Sequence, residues 1–352
     1  MKRSMIGIIF GGRSTEYEVS LSSAAAVIDS LDRNSYEIVK IGITRQGEWY
    51  RYGGDSSAIR EDRWRSHPSC VPVVLSANRA FPGLIELAGT EFRFTPLDAL
   101  FPVMHGKNGE DGTMQGLLEL SGIPFVGCGM LSSAVCMDKT MAKIIVQSDG
   151  INVPPSVSAI AGDSMEDTVA AAEQLGYPLY VKPSRSGSSI GITKAHGRDE
   201  LLAGIGKAWA HDSRLVIERH IEGFELGCSV LGHEDPIAGE LDEIALHGEF
   251  FDHAEKYSLS TASIHLPARI DAGTAREAKE MALRIYRILG CSGLARVDLF
   301  LGKDGRLYFN EVNTIPGFTE KSRYPGMMRE AGIGFPELLD RLIHDALKEP
   351  RI

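Results

Sequence analysis

The sequence predicts an α/β protein, and three stretches carry that reading. Residues 5–10 are a short, fully apolar run that ends in Gly11-Gly12-Arg13 and leads into the alanine-rich SLSSAAAVIDSL. This is a buried strand, a turn and a helix in succession. Residues 36–43 and 48–52 read as second and third strands, so strand and helix alternate. Residues 98–104 (DALFPVM) form another buried strand, which runs into His105-Gly106-Lys107-Asn108-Gly109-Glu110-Asp111-Gly112. A polar, glycine-rich loop at the C-terminal end of a strand is where α/β sheets usually touch ligands.

The other elements follow along the chain. Residues 53–82 are richer in Arg, Ser, Asp and Pro and read as an irregular, partly exposed insertion. Residues 114–120 form a helix stopped by Gly122, and 124–127 a short strand. Residues 132–148 read as one long helix closed by Gly150, with a boundary near Met137. Residues 177–181 are a strand and 199–210 an amphipathic helix. Strands follow at 215–218 and 225–231, and residues 241–251 continue the sheet. Residues 253–268 are a polar loop, 274–289 a helix, and 335–347 a final amphipathic helix. No internal repeat is present.

The chain has 352 residues, enough for two or three domains. Hydrophobic content of 43% and charged content of 24% are those of a soluble globular protein. A net charge of −10 without any basic run argues against a nucleic-acid surface. Cys70, Cys128, Cys136, Cys228 and Cys291 are scattered and form no C-x-x-C pair, as expected of reduced thiols in the cytoplasm. The apolar run after Met1 is too short for a signal peptide, and no stretch is long enough to span a membrane.

Residues 294–317, LARVDLFLGKDGRLYFNEVNTIPG, are the most informative. They read as two alternating strands joined at Asp304-Gly305, a dipeptide that favours a two-residue hairpin turn. That turn sets Asp298 opposite Glu311 and Arg296 opposite Asn313, with all four side chains on one face. Facing carboxylates repel across a ladder. A divalent cation removes the conflict, and Asp, Glu and Asn oxygens are the hard ligands Mg²⁺ prefers. Two alternatives stay open. The hairpin is an ordinary solvated surface, or the loop has three residues and Asp298 and Glu311 face opposite ways.

Other residues shift the balance toward a nucleotide. Lys182 ends a buried strand just before Ser186-Gly187-Ser188-Ser189-Ile190-Gly191, whose N–H groups and hydroxyls could wrap phosphate oxygens. This loop is neither a Walker A loop nor a dinucleotide fingerprint. Alone it could be a surface loop. Lys139 opens a helix at Met137-Asp138-Lys139-Thr140. Glu218, at the end of Leu215-Val216-Ile217, is either a solvated strand end or an acceptor for ribose hydroxyls. The order lysine, lysine with serine-glycine loop, strand-end glutamate and acidic hairpin is the informative feature.

With these residues in hand, the chain closely resembles the D-alanine–D-alanine ligase family of the ATP-grasp superfamily over nearly its whole length. The matching stretches are GGRSTEYEVS from Gly11 to Ser20, HGKNGEDGTMQG, Met137-Asp138-Lys139, VKPSRSGSSIGI, Glu255-Lys256-Tyr257, ARVD and NEVNTIPGFT. The resemblance implies an α/β, three-domain architecture: a parallel-sheet N-terminal domain over 1–137, and two α+β domains over 138–220 and 221–352 that clamp ATP. It implies that Lys139, Lys182, Glu218 and Glu225 hold the nucleotide with Ser188 and Ser189, and that Lys256 reaches its phosphates. Asp298, Glu311 and Asn313 would bind two Mg²⁺ (or Mn²⁺) ions, with Glu311 bridging. Glu16 would hold the ammonium of the first D-alanine. Ser188 and Tyr257 would join Glu16 in a hydrogen-bonded group that closes the loop over the site. His105, Arg296, Gly317, Ser322 and Arg323 would line the substrate and second-subsite region. The family is usually dimeric, so a homodimer is expected.

The implied reaction joins D-alanine to a second D-amino acid through a D-alanyl phosphate, for peptidoglycan precursors. A carboxylate is a poor acyl donor and an acylphosphate a good one. Metal and lysine charge would support the phosphoryl transfer, and Arg296 with an N–H near Gly317 would face the tetrahedral oxyanion. D-Ala–D-Ala ligase activity is the main expectation and a D-alanine–D-serine ligase of vancomycin-resistance type the alternative. Depsipeptide-forming members typically carry histidine at Tyr257, which disfavours D-lactate. Asp242, Phe251 and Arg323 together resemble the D-serine branch, whereas housekeeping members tend to have leucine or methionine at Arg323. Another ATP-grasp carboxylate–amine ligase is a further alternative, which Glu16 disfavours.

Overall fold

Three sheets organise the chain in a computed structural model that describes residues 3–89, 91–246 and 262–348. The first contains β1 (Ser4–Gly11), β2 (Tyr36–Ile43), β3 (Trp49–Tyr52), β4 (Val71–Leu75), β5 (Gly83–Ala88), β6 (Glu91–Pro96) and β7 (Ala99–Val103), in the order β6-β5-β4-β3-β2-β1-β7. Strand β1 pairs in parallel with β2 and with β7. The pairings from β2 to β6 are antiparallel, so the sheet is mixed rather than parallel throughout. Helix α1 (Tyr17–Ser30) crosses from β1 to β2 and buries Leu21, Ala24, Ala25 and Ile28.

The stretch expected to be an irregular insertion is ordered. It holds α2 (Ser56–Arg60), a short 3₁₀ turn at Trp64–Ser66 and β4. Its polar composition hid an anchor. Trp64 is fully buried, with its ring centroid 5.2 Å from Phe10 and 6.2 Å from Tyr52. Truncating such a residue to alanine costs about 3–5 kcal/mol.

After β7 come α3 (Thr113–Ser121), α4 (Met130–Met137) and α5 (Lys139–Ser148). The expected strand at 124–127 reduces to one parallel bridge between Leu100 and Phe125. The expected single helix over 132–148 is broken at Asp138. Its carboxylate caps α5 by accepting the Thr140 and Met141 N–H groups, each at 3.1 Å. A side chain that satisfies the open N–H groups of a new helix lets the chain turn there.

The second sheet has β8 (Ser156–Ile160), β9 (Leu179–Pro183), β10 (Thr193–Ala195) and β11 (Arg214–Arg219), all antiparallel, in the order β10-β9-β11-β8. Helices α6 (Met165–Glu173) and α7 (Arg198–Trp209) cover it. Neither β8 nor α6 was read from the sequence. The third sheet has β12 (Gly223–Gly232), β13 (Ile237–Leu246), β14 (Ala262–His265), β15 (Gly293–Gly302) and β16 (Leu307–Asn313), in the order β14-β13-β12-β15-β16. β14 is a strand where a loop was expected. Helix α8 (Ala272–Ile288) packs on this sheet through Ala278, Ala282, Ile285 and Tyr286.

Helices α9 (Arg323–Glu330) and α10 (Phe335–Lys348) close the chain. The apolar face of α10, with Leu338, Leu339, Leu342 and Ile343, joins the core built on β1 and α1. The last segment therefore returns to the first sheet, and the β16–α9 connection lies against the loop after β7.

The hairpin differs from expectation in its loop and agrees in its register at the site. Gly302 pairs with Arg306, leaving the three-residue loop Lys303-Asp304-Gly305, with Gly305 at φ +76°. The ladder then pairs Leu301 with Leu307 and Leu299 with Phe309. Continued without interruption, it would pair Asp298 with Asn310. Instead the register shifts by one residue at this point, and Asp298 pairs with Glu311 and Arg296 with Asn313. Asn310 is the extra residue of a β-bulge.

Candidate active site

The three sheets converge around a cleft, and each supplies residues by a local device. The start of α5 is tied to the end of β9. The Lys139 N–H donates to the Ser184 carbonyl at 2.9 Å, and the Ser184 hydroxyl donates to Asp138 Oδ1 at 2.8 Å. This fastening brings Lys139 beside Lys182. Lys139 Nζ donates to the Ser186 carbonyl at 2.8 Å and lies 3.3 Å from Glu311 Oε2. Lys182 Nζ donates to Glu218 Oε2 at 2.8 Å.

Lys182 and Glu218 are both buried. Burial opposes charge on Lys182, but the facing Glu218 outweighs it and the ammonium pKa is raised. On Glu218 burial is again opposed, here by Lys143 and Lys182, and the carboxyl pKa is lowered. Both groups are therefore held charged. The hydrophobic and polar wall of this half of the cleft includes Tyr180, Phe224, Glu225, Ile244, Phe300 and Asn310. Flat apolar surfaces with a few charged groups suit a purine nucleotide.

The serine-glycine loop, with Ser188 and Ser189 at its tip, borders this half too. Both serines take left-handed backbone angles, φ 50° and 57°. Non-glycine residues adopt such angles at a cost, which surrounding contacts must offset. One such contact is the Ser188 hydroxyl donating to Glu16 Oε1. Glu16 stands just before α1, and Gly106 and Gly187 approach it closely.

On the other side, the third sheet and the β16–α9 connection bound a second recess with Glu16, His105, Glu110, Arg296, Asn313, Gly317, Ser322 and Arg323. His105 is buried, with Nδ1 at 2.8 Å from the Ile315 carbonyl and Nε2 at 3.1 Å from Ser23 Oγ. Burial lowers its pKa, so the neutral ring donates to Ile315 and accepts from Ser23. Glu110 accepts the Gly106 N–H at 2.7 Å and the Ile315 N–H at 3.0 Å. Burial and the nearby Glu16 push its carboxyl up to about 8.

Arg296 binds Asp298 in a fork, Nε to Oδ1 and Nη2 to Oδ2, each at 2.7 Å. Asn313 Nδ2 donates to Asp298 Oδ2 at 2.9 Å. Arg323 meets three acids: Asp242 in a second fork, Glu225 at 3.3 Å and Asp298 at 3.7 Å. The Ser322 hydroxyl turns toward Thr319, whose N–H it accepts at 3.0 Å.

Asp298, Glu311 and Asn313 thus share one face as expected. Among the described residues no cluster of three or more His, Cys, Asp or Glu side chains could close around a metal alone. Two carboxylates and one amide are hard oxygen donors too few for a closed site. They fit a divalent cation whose remaining ligands come from phosphate oxygens and water. Lys256, Tyr257 and Phe251 lie outside the described residues.

Glu218, read as either a solvated strand end or an acceptor for ribose hydroxyls, is buried and paired with Lys143 and Lys182 at the floor of the cleft. Sequence reasoning missed Glu110, Asp138 and Lys143. Lys143 was signalled only by its i+4 spacing from Lys139, and Glu110 only by its place in the glycine-rich loop.

A cleft between antiparallel sheets, with paired lysines on one wall and an acidic hairpin on the other, defines an ATP-dependent ligase of the ATP-grasp class. The family model described as D-ala D-ala ligase N-terminus matches residues 5–128, and the one described as D-ala D-ala ligase C-terminus matches 145–344. The chain belongs to the D-alanine–D-alanine ligase family. It is 43% identical to a D-alanine–D-alanine ligase of a Thermoanaerobacter species, over 99% of this chain and 98% of that one. It is also 43% identical to the vancomycin B-type resistance protein VanB of Enterococcus faecalis, over 99% of this chain and 100% of that one. The crystal structure of the VanG D-Ala:D-Ser ligase from Enterococcus faecalis superposes with a TM-score of 0.92, at 49% identity, over 98% of this chain and 100% of that one. Among the described residues no helix is long and apolar enough to cross a membrane.

Proposed function

We propose that the chain is a D-alanine–D-serine ligase that activates the carboxylate of D-alanine with ATP and transfers the acyl group to the amine of D-serine. The observation that carries the choice of second substrate is the Arg323 guanidinium, fixed by buried Asp242 at the edge of the second recess. A cation held there suits the hydroxymethyl of serine, where an aliphatic side chain would suit the methyl of alanine. The 49% identity to the VanG D-Ala:D-Ser ligase supports the same reading.

In this reading Lys139 and Lys182 meet the phosphates, Ser188 and Ser189 close over them, and Glu225 faces the ribose. Glu218 keeps Lys182 charged and oriented. Asp298, Glu311 and Asn313 would hold Mg²⁺ or Mn²⁺, which would supply positive charge to the phosphoryl oxygens. Glu16 pairs with the D-alanine ammonium and His105 shapes its pocket. The γ-phosphoryl passes to the D-alanine carboxylate and ADP leaves. The serine amine then attacks the acyl carbon. Arg296, with an N–H near Gly317, faces the oxyanion, and phosphate leaves as the amide forms. Arg296 must release part of its hold on Asp298 for this. Water exclusion by the 186–191 loop protects the acylphosphate.

The division at residues 137 and 220, a homodimeric assembly and a role in peptidoglycan precursor synthesis belong to the same proposal. The second reading, D-Ala–D-Ala ligation, is favoured by the 43% identity to the Thermoanaerobacter enzyme. Supplying ATP, D-alanine and D-serine together and identifying the dipeptide separates the two. D-Ala–D-Ser is the expected product. D-Ala–D-Ala alone would overturn the serine reading, and no D-alanine-dependent ADP release would overturn both.

A further inference from the structure

Lys143 has no part in the roles above, yet its side chain is buried at the floor of the cleft. Helix α5 sets it one turn after Lys139 on the same face. Its Nζ lies 3.0 Å from the Asn310 carbonyl oxygen, 3.5 Å from that of Phe309 and 5.4 Å from the centroid of the Phe309 ring. It also forms an ion pair with Glu218 Oε1 at 3.2 Å. Three acceptors therefore surround the three ammonium N–H groups.

Two of those acceptors sit at the β-bulge. A bulge interrupts the ladder, and buried carbonyls there need partners from outside it. The bulge in turn decides where Glu311 points. Without the extra residue in the pairing, Glu311 would move to the opposite face from Asp298. A buried ammonium is costly, and burial draws the Lys143 pKa down against the pull of Glu218. Such a group persists where its contacts need a cation.

We propose that Lys143 is a positioning residue whose ammonium pins the Asn310 bulge, and so holds Glu311 on the face of Asp298 where a divalent cation and nucleotide phosphates meet. This rests on the ligase reading. Lys143 lines neither recess. It acts through the backbone at Asn310 and through Glu218, which it keeps charged beside Lys182.

The test uses Lys143→Met, Lys143→Gln and Lys143→Arg in the full chain. Thermal unfolding is measured first, then D-alanine-dependent ADP release and calorimetric ADP binding, each across a Mg²⁺ titration. Lys143→Met is expected to raise the Mg²⁺ needed for half-maximal rate, and for half-maximal ADP binding, about 10–100-fold, the usual loss when a partner of a metal ligand is removed. Lys143→Arg, which keeps the charge and donors, is expected to recover most of that loss. If Lys143→Met does not fold, Lys143→Gln, which removes the ammonium and its charge beside Glu218, carries the same titrations with the same direction of change expected, and an unchanged Mg²⁺ requirement in it overturns the proposal. A lower melting temperature with an unchanged Mg²⁺ requirement would make the lysine merely structural and overturn the proposal. Absence of D-alanine-dependent ADP release from the wild-type chain would overturn the ligase reading instead.

Discussion

Arg323 holds Asp242 through two parallel N–H···O bonds, Nε to Oδ2 at 2.7 Å and Nη2 to Oδ1 at 2.8 Å. Asp242 is fully buried and also accepts the Gly227 N–H at 3.1 Å. The pair spans α9 and β13, so the wall of the second recess depends on it. Removing one member of a buried pair strands the other, at a cost of about 3–5 kcal/mol. Arg323→Met is expected to lose that much in denaturant unfolding and to shift the product toward D-Ala–D-Ala. Arg323→Met with Asp242→Asn should recover part of the stability without the serine preference. An unchanged product ratio in Arg323→Met would contradict the assignment.

Glu311 is the residue on which the acidic hairpin turns. Glu311→Gln keeps the shape and removes the charge, leaving Lys139 with the Ser186 carbonyl as partner. Turnover is expected to fall at least about 100-fold, the upper range for disturbing a metal site. Circular dichroism should be unchanged. Ordinary turnover in the variant refutes the metal assignment.

Gly106 lets the loop after β7 approach Glu16. It has φ +71°, and an added Cβ would lie 2.3 Å from Glu16 Oε2 and 2.8 Å from Ser14 Oγ. Gly106→Ala must displace the carboxylate. Losing one charge-assisted hydrogen bond to the substrate ammonium is worth roughly 1.5–3 kcal/mol. The KM for the first D-alanine should therefore rise about 10–100-fold while the KM for ATP stays put. Equal effects on both would place Glu16 elsewhere in the reaction.

Glu110 sets a pH dependence. Its carboxyl holds a proton up to about 8 in the folded chain, against an ordinary value of 4.5. Between those values the folded state binds the proton more tightly than the unfolded state. That contribution to stability is complete below 4.5 and is lost as pH rises through about 8. Glu110→Gln is neutral throughout. Its melting temperature should fall less than that of the wild type over this window, and parallel curves would show that Glu110 is already ionised.

Much of this was legible in the residues. Four of the first sheet's strands, β1, β2, β3 and β7, were legible in the residues and α10 in its period, whereas β4, β5 and β6 were not. The lysines, the serine-glycine loop and the acidic hairpin stood in a telling order. Less legible was whatever depended on partners distant in the chain. Trp64 looked like part of a polar insertion until Phe10 and Tyr52 surrounded it. The break at Asp138 is hidden in a helical pattern, because besides capping its own helix the carboxylate is held by Ser184 and Arg214, more than forty residues on. Glu110 bridges two loops that are 205 residues apart in the chain at its Ile315 contact.

The hairpin draws the line between sequence and tertiary structure. By itself the sequence determined the donor set: two carboxylates, an amide and an arginine at alternating positions of two strands. Alternation is a local property of extended backbone. It did not determine that Asp298 would face Glu311, since the three-residue loop alone sends them apart. The bulge at Asn310 restores the pairing. Only the packed structure supplies the Lys143 ammonium that meets the bulge carbonyls, because its helix and the hairpin meet nowhere in the sequence.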